Sequence, residues 1–179
     1  MHVQESAEAA TNPAVPEPGA EGSVESQGGG GAKPAAAAEV FDTQQTFAEL
    51  GLRSSVLKGV EAAGFKHPTG IQAVLIPKAL TGRDILGQAK TGTGKTAAFG
   101  LPLLNMCNKD QPFQALVLAP TRELAVQITQ EIEELGKFTP IRATSVYGGQ
   151  AIRTQAKNLS TGSHILVGTP GRVMDMLER

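Results

Sequence analysis

Ala89-Lys90-Thr91-Gly92-Thr93-Gly94-Lys95-Thr96 is the stretch from which the fold of this chain can be worked out. It follows a short apolar segment, residues 84–88, that predicts a strand, and it opens a segment, residues 95–106, that predicts a helix. A glycine-rich turn between a strand and a helix, ending in Gly-Lys-Thr, is what a phosphate-binding loop requires. The glycines permit backbone angles that a Cβ forbids, and the helix N-terminus adds partial positive charge. We therefore predict a nucleotide site, with Lys95 on the phosphates and the Thr96 hydroxyl on Mg²⁺.

The first position of this loop departs from the usual pattern. G-x-x-x-x-G-K-[ST] begins with glycine, whereas this chain has Ala89. A glycine turn beside a surface lysine would have a similar sequence, but the flanking strand and helix patterns favour a phosphate loop.

Composition divides the 179-residue chain into two parts. Residues 1–40 are mainly Ala, Gly, Glu, Pro and Ser, with six acids, one base and almost no large apolar side chains. Such a segment cannot bury enough apolar surface to offset its ordering entropy, so we predict a disordered, acidic, low-complexity tail. Residues 41–179 carry 15 bases and 11 acids, a mildly basic balance that is compatible with a polyanionic ligand.

Cysteine usage and the N-terminal sequence indicate the compartment. Cys107 is the only cysteine, so no disulfide can form within the chain, which favours a reducing environment. The start has no basic region followed by an apolar run, no arginine precedes Arg53, and no run of about 18 apolar residues occurs. We therefore expect a cytoplasmic protein without a membrane partner.

Strand and helix patterns alternate along the rest of the chain. Upstream of the loop, helices are predicted over residues 54–63, with Ser54 as N-cap and Gly64 after the end, and again after Thr69. Downstream, buried strands are predicted at 115–119 and 164–167 and a further strand at 141–146, with helices after Thr121, over 151–159 and after Pro170. This alternation predicts an α/β fold, a parallel sheet with flanking helices. Ligands of such sheets bind at the carboxyl ends of the strands, where the phosphate loop and two further motifs fall.

Five motifs in a fixed order carry a resemblance to a known family. They are the segment 64–72 with Phe47 upstream, the phosphate loop, Pro120-Thr121-Arg122-Glu123-Leu124, Gly148-Gly149, and Thr169-Pro170-Gly171-Arg172. Their order and spacing resemble the N-terminal RecA-like domain of the DEAD-box ATP-dependent RNA helicases, over residues 41–179. The resemblance implies an incomplete RecA-like P-loop NTPase domain, with a Q motif region at residues 45–73.

The resemblance also implies a role for each motif. Gln72 would read the adenine edge, Phe65 would stack on the base, and Phe47 matches the isolated upstream aromatic. The nucleotide would be held by Ala89, Lys90, Thr91, Gly92, Thr93, Gly94, Lys95 and Thr96, and alanine at position 89 is the family's own choice. The RNA backbone would be contacted by Pro120, Thr121, Arg122, Gly149, Thr169, Pro170, Gly171 and Arg172. Backbone contacts carry no base code, so binding should tolerate any sequence and depend on salt.

The family's Asp-Glu-Ala-Asp motif does not occur in this sequence. The resemblance implies that this motif would follow shortly after Arg179, and that the Ser-Ala-Thr motif and a second RecA-like domain in cis also belong to the full-length protein. Phosphoryl transfer needs an acid to hold Mg²⁺ and to orient the attacking water. We therefore expect these 179 residues alone to bind ATP and RNA without hydrolysis or unwinding.

Other assignments stay open at this point. The chain could belong to a different P-loop NTPase, such as a DNA helicase or translocase. A preference for ATP over GTP, which Phe65 and Gln72 imply, would exclude that alternative. It could also be a truncated product that binds RNA without turnover. At the residue level, Arg122 and Arg172 could be ordinary arginines that contact only the protein or solvent, and the two phenylalanines could be plain core residues.

Overall fold

A computed structural model describes residues 45–160 and 162–178; the predicted disordered tail lies outside the described residues. After a 3-10 helix, Phe47–Leu50, the elements are α1 (Ser54–Ala62), α2 (Gly70–Leu80), α3 (Lys95–Met106), β1 (Ala115–Leu118), α4 (Arg122–Leu135), β2 (Ala143–Val146), α5 (Ile152–Leu159), β3 (Ile165–Gly168) and α6 (Pro170–Leu177). From β1 onward, strands and helices alternate as predicted.

The three strands form one parallel sheet in the order β1-β3-β2. Val167 at the centre of β3 is paired with Val117 on one side and Ser145 on the other. The carboxyl ends lie level, because the Ala119 N–H donates to the Gly168 carbonyl at 2.9 Å and the Thr169 N–H donates to the Val146 carbonyl at 3.1 Å. The predicted α/β fold, a parallel sheet with flanking helices, is confirmed.

β1 is buried on one face only, so the prediction of a fully buried strand was wrong. Leu116 and Leu118 are 52% and 56% exposed, whereas Ala115 and Val117 pack against the core. Successive side chains of a strand point to opposite faces of the sheet, so a continuous apolar run does not by itself show that both faces are covered.

The predicted strand at residues 84–88 does not form. All five of these residues are exposed, and Leu86 is 99% exposed. Within the described part of the chain, the three strands pair only with one another, so the backbone of this segment has no ladder partner. A strand-like apolar sequence favours a half-buried position in a sheet. Because no neighbouring strand pairs with residues 84–88, they do not form a strand.

The helix ends follow the predicted capping signals with one exception. Arg53 is the N-cap of α1, so Ser54 is its first residue rather than its cap. Gly64 follows the C-cap with a φ of +80°, as predicted. The Thr121 hydroxyl accepts a hydrogen bond from the Leu124 N–H at 3.2 Å, which confirms it as the cap of α4. The helical spacing of Leu124, Ile128, Ile132 and Leu135 predicts a shared buried face, but Leu124 is 37% exposed.

The core lies between the helices and the covered face of the sheet. Its largest fully buried apolar side chains are Ile76, Leu101, Leu104, Ile132, Leu135, Ile165, Val56 and Val167. α1 crosses the end of α4 at Gly59, where a Cβ would lie 1.8 Å from the Leu135 carbonyl oxygen. Cys107, directly after α3, is buried, and burial raises the pKa of its thiol. A buried thiol with a raised pKa is expected to be chemically inert.

Candidate nucleotide and RNA site

The phosphate loop, residues 89–96, leads directly into α3. Gly92 and Gly94 have φ values of +79° and +76°, the left-handed region in which other residues are strained. Gly94 is also the N-cap of α3, so the free N–H groups of the first helical turn follow the loop without a break. At Gly92, no described atom beyond Gly92 and its two chain neighbours lies within 4 Å of the place that a Cβ would take. The loop therefore has the backbone and the open space that an incoming phosphate requires.

Lys95 holds the loop in a closed curve. Its Nζ donates to the carbonyl oxygens of Ala89 and Lys90 at 2.6 and 2.7 Å. The Thr93 hydroxyl also donates to the Lys90 carbonyl, at 2.8 Å. The ammonium group thus occupies the curve of the loop, where a phosphate oxygen would offer it a stronger, charge-assisted hydrogen bond.

Thr96 follows Lys95 in the first turn of α3 and is half-buried. Its hydroxyl oxygen is the type of ligand that Mg²⁺ accepts together with phosphate oxygens. Among the residues that the structure describes, no three His, Cys, Asp or Glu side chains come together in a group that could hold a metal ion. The residues present therefore fit one side of a magnesium–phosphate site.

The N-terminus of α2 is attached to the phosphate loop by two side chains. The Thr69 hydroxyl donates to the Thr93 carbonyl at 2.9 Å, and Gln72 Nε2 donates to the Gly94 carbonyl at 3.1 Å. Gln72 is fully buried, and its Oε1 accepts from the Thr69 N–H at 2.9 Å. The amide that the resemblance assigns to adenine is thus bonded to its own helix cap and to the loop. Thr69 was not predicted as a site residue, although the Thr-x-x-Gln capping box was a signal that could have found it.

The two aromatic residues differ in exposure. Phe47 is buried, whereas Phe65 is half-buried, and their rings meet edge to face with centroids 6.1 Å apart. Phe47 therefore packs in the core, and its predicted place in the nucleotide site stays a prediction. Phe65 retains exposed ring surface, and its stacking role stays a prediction.

The three predicted RNA motifs meet at the carboxyl edge of the sheet. We call this group the rim: residues 120–122 after β1, 147–150 after β2 and 169–172 after β3. The guanidinium carbon of Arg122 lies 4.9 Å from the centroid of the Tyr147 ring. Gly149 has a φ of +88°, and a Cβ there would lie 3.8 Å from Arg122 Nη1. Thr169 is the N-cap of α6, with Pro170 at its first position. Pro120, Thr121, Pro170 and Gly171 are exposed.

Arg172 is placed differently from Arg122. Arg122 is exposed, whereas Arg172 is only 9% exposed. Arg172 Nη1 donates at 3.0 Å to the Gln150 carbonyl and at 3.0 Å to Gln155 Oε1. Gln155, which is 2% exposed, in turn donates from Nε2 to the Tyr147 carbonyl at 3.0 Å. The guanidinium of Arg172 thus contacts its own chain, and its predicted contact with RNA stays a prediction.

Sequence reasoning missed the polar residues that organise the rim. Tyr147 directly precedes Gly148-Gly149, and its position next to a motif was the one available signal. Gln150 and Gln155 carried none, because a polar residue on a loop or a helix is usually solvated. Burial of Gln155 is visible only once the loop, α5 and α6 are packed together.

The predicted site residues therefore form two groups, a nucleotide group around residues 69–72 and 89–96 and the rim at the sheet edge.

No helix in the described ranges combines the length and the apolar character that crossing a membrane requires.

Comparison with known proteins gives consistent results. A family model for DEAD/DEAH box helicases matches residues 69–179. The chain is 53% identical over 135 residues to the DEAD-box ATP-dependent RNA helicase CshA of Bacillus cereus, covering 75% of this chain and 26% of that protein. It is 48% identical over 133 residues to the DEAD-box ATP-dependent RNA helicase RhpA of Helicobacter pylori, covering 74% and 27%. The chain thus spans about a quarter of the length of these relatives.

Solved structures show the same likeness. A DEAD box protein from the hyperthermophile Methanococcus jannaschii superposes with a TM-score of 0.71 and 42% identity, covering 75% of this chain and 37% of that one. S. cerevisiae Dbp5 bound to RNA and ADP BeF3 superposes with a TM-score of 0.68 and 39% identity, covering 75% and 34%. The predicted RecA-like fold and the suspected family are both confirmed: the chain belongs to the DEAD/DEAH box helicase family.

Proposed function

We propose that this chain is the ATP- and RNA-binding part of a DEAD-box ATP-dependent RNA helicase. The observation that carries the proposal is the pairing, in one fold, of a Lys95-closed phosphate loop at a helix N-terminus with the rim at the carboxyl edge of the sheet. The names of the relatives, and the RNA and ADP BeF3 bound to Dbp5, support the same assignment.

For the nucleotide, the loop supplies the phosphate contacts and the start of α2 supplies the base contacts. Lys95 exchanges its two carbonyl partners for phosphate oxygens, and the Thr96 hydroxyl takes one position on Mg²⁺. In the present arrangement, Gln72 has one hydrogen and one lone pair uncommitted but no exposed surface. Reading adenine therefore requires the loop and the α2 N-terminus to separate slightly, with Phe65 as the adjacent ring.

For RNA, the rim supplies backbone contacts. Arg122 is exposed and oriented by the Tyr147 ring, and the N-terminus of α6 after Thr169 points partial positive charge outward. None of these groups reads a base edge, so binding should be tolerant of sequence.

The activity of the full-length protein follows by extension. ATP binding would close this domain and a second RecA-like domain in cis on RNA and so unwind short duplexes locally. A lone buried cysteine and the family itself favour a cytoplasmic location.

The 179 residues alone lack the Asp-Glu-Ala-Asp acids, so the expectation of binding without turnover stands as part of the proposal.

Nucleotide binding is tested with fluorescent ATP and GTP analogues, titrated into the chain with Mg²⁺. Lys95→Ala should weaken ATP binding by at least about tenfold, because a charge-assisted phosphate contact is lost. Lys58→Ala, which removes an exposed lysine on α1, serves as the control and should leave the affinity unchanged. Equal affinities for ATP and GTP would favour a different P-loop NTPase.

RNA binding is tested by fluorescence anisotropy with labelled single-stranded RNA and DNA of equal length, over a range of salt concentrations. Arg122→Ala should weaken RNA binding for every sequence and lower the salt slope by about one. Tighter binding of DNA than of RNA would contradict the proposed substrate.

A further inference from the structure

We propose that Gln155 is a positioning residue for RNA binding, which holds the loop 147–150 and Arg172 so that the three rim motifs form one surface. The inference rests on the proposed function, since it concerns the same RNA surface. It assigns a role to a residue of α5 that belongs to none of the five motifs, and it changes the role of Arg172 from an RNA contact to a structural support.

The amide of Gln155 is almost fully used by its neighbours. Nε2 donates to the Tyr147 carbonyl at 3.0 Å and to Gln150 Oε1 at 3.3 Å, and Oε1 accepts from Arg172 Nη1 at 3.0 Å. Both amide hydrogens and one acceptor position are therefore engaged. With 2% of the residue exposed, water cannot replace these partners. One side chain thus joins α5, the loop after β2 and the first turn of α6.

A continuous set of contacts runs from Gln155 to the exposed arginine of the rim. Gln150, whose Oε1 accepts from Gln155, donates from its own Nε2 to the Tyr147 hydroxyl at 3.1 Å. The Tyr147 ring in turn lies under the guanidinium of Arg122, 4.9 Å away. Such a stacked contact fixes the plane of the guanidinium without using its hydrogens. Arg122 can therefore direct its donors at phosphate oxygens.

Arg172 is committed to the same arrangement. Both hydrogens of Nη1 are donated, one to the Gln150 carbonyl and one to Gln155. Its Nε is buried, 3.7 Å from Asp175 Oδ2, and makes no hydrogen bond within the described residues. A guanidinium so enclosed stabilises the loop 147–150 more readily than it reaches a ligand. Arg122 and Arg172 therefore act on RNA in different ways, one directly and one through the loop.

The only tyrosine in the chain reports on this loop, and there is no tryptophan to mask its emission. In the RNA-free 179-residue chain, acrylamide quenching of Tyr147 fluorescence should increase in Gln155→Met and in Arg172→Ala, because the loop is released. Gln155→Met keeps the length and apolar volume of the side chain, so it separates the loss of hydrogen bonds from the loss of packing. Gln130→Ala, an exposed glutamine of α4, is the matched control and should not change quenching.

RNA titrations over a range of salt concentrations provide the second measurement. Gln155→Met and Arg172→Ala should each weaken single-stranded RNA binding about tenfold with the salt slope unchanged, since no phosphate contact is removed. Fluorescent ATP binding should stay at the wild-type value in both variants, because the nucleotide group makes no use of Gln155. That last readout distinguishes local positioning from general destabilisation, which would weaken both ligands.

Gln150→Ala is a second variant that cannot empty the core, since Gln150 is exposed. It should release Tyr147 in the same quenching assay and weaken RNA binding to a smaller extent. Unchanged quenching in Gln155→Met would overturn the inference whether or not RNA binds. A salt slope reduced by about one in Arg172→Ala would overturn the role given to Arg172. Absence of RNA binding by the wild-type chain, with quenching altered in the variants, would instead overturn the proposed function and the RNA role built on it.

Discussion

Gln72 and Gln155 are both buried glutamines, and each attaches a helix to a glycine-containing loop. Gln72 joins the start of α2 to the phosphate loop at Gly94, and Gln155 joins α5 to the loop around Gly149. Truncating a buried amide of this kind leaves unpaired backbone groups, at a cost of about 1–3 kcal/mol. At the residue scale, both proposed ligand surfaces therefore depend on a buried polar side chain that is hydrogen-bonded to the protein itself.

Gly94→Ala is expected to disrupt the nucleotide site. A Cβ at this position would lie 2.3 Å from Gln72 Nε2, and the φ of +76° adds strain. ATP affinity, measured by the fluorescent analogue titration, should fall by more than about tenfold. Gly82→Ala is the control, because Gly82 has a φ of +72° but open space around its Cβ position. Equal effects of the two substitutions would show that backbone strain alone, and not the Gln72 contact, matters.

At the scale of elements, the helices are positioned by caps and by close backbone approaches. The N-termini of α2 and α4 follow Thr69 and Thr121, and α3 begins at the left-handed Gly94. α1 and α4 approach each other at Gly59, which has no room for a side chain. These contacts place the phosphate loop and the first turn of α4 beside the same core.

Two glycine substitutions separate helix propensity from helix packing. Gly59→Ala should destabilise the fold by about 3 kcal/mol or more, because the new methyl group would overlap the Leu135 carbonyl. Gly70→Ala meets no neighbour within 4 Å and should change stability by less than about 1 kcal/mol, in the stabilising direction. Urea unfolding followed by circular dichroism measures both. A small effect of Gly59→Ala would mean that α1 moves away from α4 without cost.

The 3-10 helix carries a pH-dependent cap. The Thr46 N–H and hydroxyl both donate to Glu49 Oε2, at 2.7 and 3.0 Å, and these hydrogen bonds lower the pKa of Glu49 from its ordinary 4.5. A lowered folded-state pKa means that the carboxylate stabilises the cap above about pH 4.5 and that this contribution disappears as the pH falls through the lower folded value.

The Thr46 amide resonance in NMR spectra should therefore shift as the pH falls below 4.5. In Glu49→Gln the shift should be absent, whereas in Glu61→Gln, which removes an exposed acid from α1, it should persist. A Thr46 resonance that titrates unchanged in Glu49→Gln would refute the assignment.

At the scale of the whole molecule, part of the apolar surface of the described residues is not covered by other parts of the chain. Leu86, Leu116 and Leu118 are exposed, and a largely apolar groove of about 480 Å³ lies between α2, α3 and the segment 83–87. The outer edge of β1 pairs with no strand in the described ranges. Exposed apolar patches and free strand edges favour association with other chains.

We expect the 179-residue chain to self-associate as its concentration rises, in sedimentation velocity. Leu116→Thr combined with Leu118→Thr should shift the distribution toward monomer, because the free face of β1 becomes polar while strand propensity is kept. Leu177→Thr, at an exposed leucine of α6, is the control and should have little effect. A wild-type chain that remains monomeric and unfolds cooperatively would contradict this expectation.

The local features of this protein were determined by sequence alone. The phosphate loop, the bounds of α3, the cap of α4 and the alternation of strands and helices depend on residues close together in the chain, where glycine geometry, capping and periodicity act. The five motifs likewise identified the family, because each is a short stretch at a characteristic position.

Only the tertiary structure decided which predicted segments paired as strands and which side chains became buried or stayed exposed. Residues 84–88 remain unpaired, β1 exposes Leu116 and Leu118, and Arg172 is enclosed by Gln155 and Gln150 rather than presented to solvent. Each outcome depends on which distant segment packs alongside, and strand pairing and side-chain burial are non-local by nature. The sequence therefore determined which chemical groups the sites contain, whereas packing decided which of them face a ligand and which hold the others in place.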